Sequence, residues 1–317
     1  MSEHKLLTQQ QTGTQFTGIY FVSAVSIKKT VTKKDYTEFA LRDKSGSVFA
    51  KQWENNQNVK KGDFVETTIS VEDYKGAPSY IINKIITTNP PLDMANYLPC
   101  VENIEEEMKE FNVNIASVNL IAEDLKSGIE TVISSVLSNS IIKALGNSPS
   151  GLGVYYGKQG SAVQNANRIF KLAKNVSLAY GLKKDEELVL LTSCLFSTLP
   201  CIDCYAMNEC APEETKSGRL LGFKSLMQMR LFGAWKALKT APNREWLFRI
   251  LHVLGCDESS LKPCTKEAII FAKIRQIDTL ISESFDYIER EECWEDGFST
   301  FDVKNGRRYY VSPIAGE

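Results

Sequence analysis

The hydrophobic period of this 317-residue chain changes once, at Asn89-Pro90-Pro91, and the change demands two architectures in one polypeptide. Upstream lie short β-rich or alternating runs at 16–27, 36–41, 48–53, 64–71 and 80–87. Turn formers separate them: Asp43-Lys44-Ser45-Gly46, Gly62-Asp63 and Lys75-Gly76-Ala77-Pro78. Alternation puts successive side chains on opposite faces of a strand. Five short strands at even spacing predict a small β-barrel of OB type over residues 12–92. The two prolines then end the sheet, because proline donates no ladder hydrogen bond.

Downstream the period is helical. Ile104, Met108, Phe111, Ile115, Val118, Ala122, Leu125, Ile129, Val132 and Val136 follow at alternating steps of four and three. That heptad seam predicts a long amphipathic helix within a linking segment, 93–150, that joins the two domains. The seam has two readings: packing on its own domain, or self-association into a homo-oligomer. Residues 112–114 are its weak point, since Asn and β-branched residues are poor helix formers. After a Pro/Gly/Ser loop at 146–153, helical patterns fill 161–180, 186–198, 219–240, 244–254 and 265–291. The tail, 298–311, alternates weakly as a strand or hairpin would. The fold class is therefore α+β: a five-stranded barrel, then a mostly helical domain over 151–317.

Charge narrows the function. Net charge is −2, yet residues 1–90 carry 12 Lys and Arg against 9 Asp and Glu, while the remainder carries 25 against 30. Any nucleic-acid surface must be a local patch, and the basic end is the barrel. Only two histidines occur, His4 in an expectedly loose tail and His252, which excludes chemistry built on several imidazoles. Eight cysteines without a secretory leader read as reduced thiols in a cytoplasmic setting. Residues 1–11 are polar, and no apolar run is expected to span a membrane.

A barrel that binds single strands needs rings for base stacking and cations along the phosphate track. The loop after the first strand supplies Lys28, Lys29, Lys33 and Lys34. If Phe39, Leu41, Val48 and Ala50 face the core, period two turns Tyr36, Glu38, Arg42, Phe49, Lys51 and Trp53 outward. Tyr74 and Lys75 lie in the late loop. The competing readings are solvated lysines, Trp53 as a plug at the barrel end, and Phe49 packed on the second domain. Such a face would have little sequence selectivity, because every base offers a π-face.

The chain resembles the YhaM-type 3′–5′ exoribonucleases, an OB domain followed by a metal-dependent HD domain. The resemblance rests on Tyr36-Thr37-Glu38-Phe39-Ala40-Leu41-Arg42-Asp43, then Gly46, Lys51, Trp53 and Tyr74-Lys75-Gly76. In the second domain, the framework matches and the chemistry departs. Where the family has two histidines and Gly-Gly-Leu-Leu-Glu-His, this chain has Tyr155-Tyr156 and, at the ligand histidine, Asn165. The His-Asp pair becomes Ser197-Thr198; Leu-Leu-Gly-His becomes Leu220-Leu221-Gly222-Phe223. Ile-Leu-Ser-His-His-Gly becomes Ile250-Leu251-His252-Val253-Leu254-Gly255. Pro263-Cys264-Thr265-Lys266-Glu267-Ala268 is kept, as is Asp278, but a nearby aspartate becomes Arg275. HD hydrolysis needs imidazoles and carboxylates to hold metal and lower the pKa of bound water. The resemblance therefore implies a pseudoenzyme, without catalytic or metal-binding residues.

The organisation also resembles a class of lytic podovirus proteins, the single-stranded-DNA-binding cofactors of a phage RNA polymerase. That architectural resemblance implies DNA over RNA, a polymerase partner, a homo-oligomer and the host cytoplasm. Two other functions stay open from the residues alone: an exonuclease with a metal site rebuilt on Asp203 and Asp278, and a scaffold whose barrel binds protein. Cys194, Cys201, Cys204 and Cys210 offer either four thiolates for zinc or ordinary core and loop thiols. Arg307-Arg308-Tyr309-Tyr310 is either a second nucleic-acid contact or a docked tail. No cofactor is implied, since Gly151-Leu152-Gly153 is too short for a phosphate loop.

Overall fold

Five strands close on themselves in the order β1-β2-β3-β5-β4: β1 (Gln15–Lys29), β2 (Asp35–Asp43), β3 (Gly46–Gln52), β4 (Phe64–Tyr74) and β5 (Ala77–Thr88). The structure is a computed structural model describing residues 4–30, 34–53, 58–74, 77–91, 96–153, 156–208, 211–256, 261–290, 297–299, 301–303 and 305–310. By internal contacts it divides into two units, 1–99 with 208–211 and 291–317, and 100–207 with 212–290. The linking segment 93–150 thus supplies its helices to the second unit.

β1 is long enough to serve two neighbours. Its first half pairs with β4 and its second half with β2, Phe21 facing both Phe64 and Arg42. The register shifts between Val22 and Ala24, a bulge that bends the strand at the changeover. β3 and β5 close the ring in parallel through Ala50↔Tyr80 and Lys51↔Ile81. That strand order is the OB topology.

Phe39, Leu41, Val48 and Ala50 point inward, joining Phe16, Tyr20, Val22, Val65 and Ile69 in the barrel core. The plug is Leu7, wholly buried at the start of a short helical turn, Leu7–Gln9. Trp53, 55% exposed, is not the plug. Residues 4–7 are a strap rather than a loose tail. Asp43 accepts from the Leu7 amide at 2.8 Å and lies 3.2 Å from His4 Nε2, while the Tyr20 hydroxyl donates to the Lys5 carbonyl at 2.6 Å. Burial holds the Tyr20 phenol far above its ordinary pKa, so it remains a donor.

The second unit contains α1 (Ile104–Asp124), α2 (Ile129–Val136), α3 (Asn139–Asn147), α4 (Ser161–Ala179), α5 (Lys184–Phe196), α6 (Cys201–Cys204), α7 (Lys216–Ala237), α8 (Arg244–Gly255) and α9 (Lys266–Arg290), with short strands β6 (Tyr205–Asn208) and β7 (Ala211–Glu214) between α6 and α7. α5 is central: every residue from Leu188 to Phe196 is buried. Lys184–Cys204 is in fact long and apolar enough to cross a membrane, against the sequence expectation. Its apolar window is 83% buried inside this unit, as a helix hydrophobic all round must be.

The single long helix is corrected to two. The chain runs helically through 112–114 and breaks instead at 125–128, where Lys126 (φ 50°) and Gly128 (φ 76°) take left-handed conformations. A Cβ at Gly128 would add a 3.2 Å contact with the Pro242 ring to that backbone strain. The seam as an oligomer interface is corrected too. Phe111, Val118, Ala122, Ile129, Val132 and Val136 are buried in the unit's own core, with Met108, Ile115 and Leu125 packed against it. They cover this chain's own helices.

Candidate nucleic-acid interface

Outward positions on the barrel form three tiers across β1, β2 and β3. Lys28 pairs with Tyr36, whose ring lies 5.4 Å from that of Trp53. Below them, Ser26, Glu38, Lys51 and Ile81 are successive neighbours; below those come Ala24, Ala40 and Phe49. Alternation explains the arrangement, since each tier is two residues from the next on the same strand. Phe49 is 66% exposed and Tyr74 61%, so with Trp53 three aromatic groups stand open to solvent. The alanines at 24 and 40 leave the surface beside Phe49 low.

The cations are placed less uniformly. Lys51 is half-buried, its Nζ 5.6 Å from the Tyr74 ring centre and 3.5 Å from Ser79 Oγ. Lys28 Nζ lies 2.6 Å from Glu38 Oε1, and the Glu38 hydrogen bond raises the ammonium pKa. Glu38 points outward as expected, yet it is covered, only 9% exposed. Lys28 therefore first neutralises a carboxylate of the face itself. Lys29 stands 4.0 Å from Asp35 in an exposed pair that contributes little. Lys34 is exposed, and Arg42 is half-buried opposite Ser47. Lys33 and Lys75 lie outside the described residues. Ser26 and Ser79 join the face without having been anticipated; only the cross-strand register reveals them.

In the helical unit, several of the positions singled out from the sequence lie together. Asn165, Ser197, Thr198, Phe223, Leu254 and Arg275 line one pocket of about 480 Å³. The α7 kink at Gly222 (φ 73°) lies next to Phe223. Val253, 1% exposed, is packed in the core instead. Asp278 is buried and surrounded by donors: Asn165 Nδ2 at 2.7 Å, Arg168 Nε at 2.8 Å and the Tyr156 hydroxyl at 3.2 Å. Desolvation, the largest influence, raises the Tyr156 pKa, so the phenol stays protonated. Asp203 is gripped through both oxygens by Arg230, one bond being 2.8 Å. His252 Nε2 accepts from the Cys264 amide at 3.0 Å.

Among the described residues, no three His, Cys, Asp or Glu side chains are placed to hold a metal. Cys194, Cys201 and Cys204 are buried, and Cys210 lies outside the described residues. Burial pushes the Cys194 and Cys201 thiols far up, and Cys204 to about 11 with help from Asp203 and Glu214. In the tail, Phe298 pairs with Tyr310 and Asp302 with Arg307, a hairpin closed by Tyr309 donating to Asp302 at 3.1 Å.

No family model matches the sequence, and no curated protein matches it. Among solved structures, the second OB-fold domain of replication protein A from Methanococcus maripaludis is similar over 29% of this chain and all of that domain, at 17% identity and a TM-score of 0.23.

Proposed function

We propose that this chain is a non-catalytic, single-strand nucleic-acid binding protein that stacks bases on the outer barrel face. One observation carries the reading. A closed OB-topology barrel holds Trp53, Phe49 and Tyr74 open to solvent around Lys51, and rings beside a cation are what base stacking along a phosphate track requires.

The test is a titration of labelled single-stranded DNA, single-stranded RNA and duplex over a salt series. Single strands should bind more tightly than duplex, and affinity should fall as salt rises. Lys51→Ala should lower the slope of log K against log salt by about 0.7, one phosphate contact on a single strand. Equal binding of duplex, or no salt dependence, would remove the reading and favour a protein-binding barrel. DNA over RNA, with an RNA polymerase as partner in phage-type transcription, is the finer proposal drawn from the architectural resemblance. Equal affinity for the two strands would end its DNA preference.

The absence of hydrolysis is part of the same proposal. It is supported by what has replaced the ligands: an amide, hydroxyls and hydrocarbon at the pocket, and arginines on Asp203 and Asp278. Incubation of labelled single strands with manganese should leave them intact. Shortening that disappears in Asp278→Ala would establish the rebuilt-site alternative.

A further inference from the structure

Two thiols are exposed among the described residues, Cys100 and Cys264, and they differ in what lies beside them. Cys264 Sγ is 3.3 Å from His252 Nε2, whereas Cys100 has no imidazole within hydrogen-bond reach. The Cys264 amide fixes the state of that nitrogen. A backbone N–H only donates, and it reaches Nε2 at 3.0 Å, so Nε2 presents a lone pair and the ring hydrogen sits on Nδ1. The thiol therefore faces an acceptor that can take its proton.

Two helices build this contact. His252 lies in the last turn of α8. Cys264 immediately precedes Thr265, whose Oγ1 caps the start of α9 by accepting from the Ala268 amide at 3.3 Å. Moving the proton from sulfur to imidazole puts negative charge at the opening of a 25-residue helix and positive charge at the close of a 12-residue one. Both helix dipoles favour that separation.

An accessible sulfur in contact with a base meets the two requirements of a nucleophilic thiol. Cys194, Cys201 and Cys204 fail the first, being buried. We propose that Cys264 is a site of thiol–disulfide exchange with low-molecular-weight disulfides, of which glutathione disulfide is the type, and that His252 is its base. Nε2 takes the thiol proton, and the sulfur attacks one sulfur of the small disulfide. A new S–S bond forms as the old one breaks, and the imidazolium returns its proton to the departing thiolate. Cys264 is thereby oxidised to a mixed disulfide while the other half of the reagent leaves as a thiol, so no further oxidant is needed. The site lies within the helical unit and stands whether or not the barrel binds a strand.

The reduced full chain, incubated with glutathione disulfide near neutral pH and digested, reports each cysteine separately by mass spectrometry. Cys264 should form its mixed disulfide at least about tenfold faster than Cys100. His252→Gln keeps an oxygen for the Cys264 amide but removes the proton acceptor. It should slow Cys264 by about tenfold or more, with the Cys100 rate and the circular dichroism unchanged. The advantage of Cys264 should shrink as pH rises, because hydroxide then ionises any exposed thiol without a base. Cys264 reacting no faster than Cys100, or reacting in His252→Gln as it does in the wild type, would overturn the proposal.

Discussion

Truncating Phe49 to alanine separates binding from folding more cleanly than any other change to this barrel. The ring is 66% exposed and its cross-strand neighbour is Ala40, so the fold should lose no more than about 0.5 kcal/mol. A base stacked on it contributes ~1–3 kcal/mol. At about 1.4 kcal/mol per decade, the affinity for a single strand should fall roughly 5- to 150-fold. Trp53→Ala should weaken binding by a similar factor and also destabilise the barrel by ~0.5–1.5 kcal/mol, because it breaks the ring pair with Tyr36 at 5.4 Å. Phe39→Ala is the converse, an entirely buried ring whose loss costs ~3–5 kcal/mol of stability. Fluorescence anisotropy of labelled oligothymidylate, paired with urea melts of each variant, reads both quantities. A folded Phe49→Ala protein that binds within about twofold of wild type would refute the stacking argument.

Three further perturbations address the helical unit. Ile129→Ala should cost ~2–5 kcal/mol in a denaturant melt and leave the mass by light scattering unchanged, because the residue is buried in its own unit; a smaller assembly would restore the oligomer seam. Asp278→Asn takes the carboxylate from Arg168, which is 29% exposed, so the loss should lie near the lower end of ~3–5 kcal/mol; an unchanged urea midpoint would contradict the buried pair. Arg249 binds both Asp185 and Glu267, and its hydrogen bond is the largest influence holding the Asp185 pKa below its ordinary value. A depressed folded pKa gives stability that is full above the unfolded pKa, about 4, and lost as pH falls through the folded value. Wild-type urea midpoints should therefore decline below about pH 4, and Arg249→Met should flatten or reverse that decline; parallel profiles would count against it.

The barrel was legible because period-two runs punctuated by turn residues are local signals. Inward Phe39, Leu41, Val48 and Ala50 fix the opposite parity of Phe49, Lys51 and Trp53 without knowledge of any partner strand. What escaped depends on long-range register. Lys28 meets Glu38 only because β1 bulges between Val22 and Ala24, and a strand pattern does not announce that slip. The strap at residues 4–7 carries two leucines between polar neighbours, and only Leu7 is wholly buried in the open end of the barrel, a choice that no local pattern announces. In the helical unit, heptad spacing correctly marked a buried stripe but not what buries it, since a core helix and a second copy impose the same periodicity. The break at 125–128 was masked because the step of four from Leu125 to Ile129 preserves the pattern across a left-handed turn. The shared pocket of Asn165, Thr198, Phe223 and Arg275 is not legible in the sequence, as no spacing links them.

The barrel's ring is welded unevenly. Two residue pairs, Ala50↔Tyr80 and Lys51↔Ile81, join β3 to β5, against seven to eleven at each other junction. Lys51 is thus both a cation of the reading face and half of the thinnest weld. A strand lying across it would clamp the cylinder shut, so occupancy should slow amide exchange at residues 50, 51, 80 and 81 more than elsewhere in the sheet.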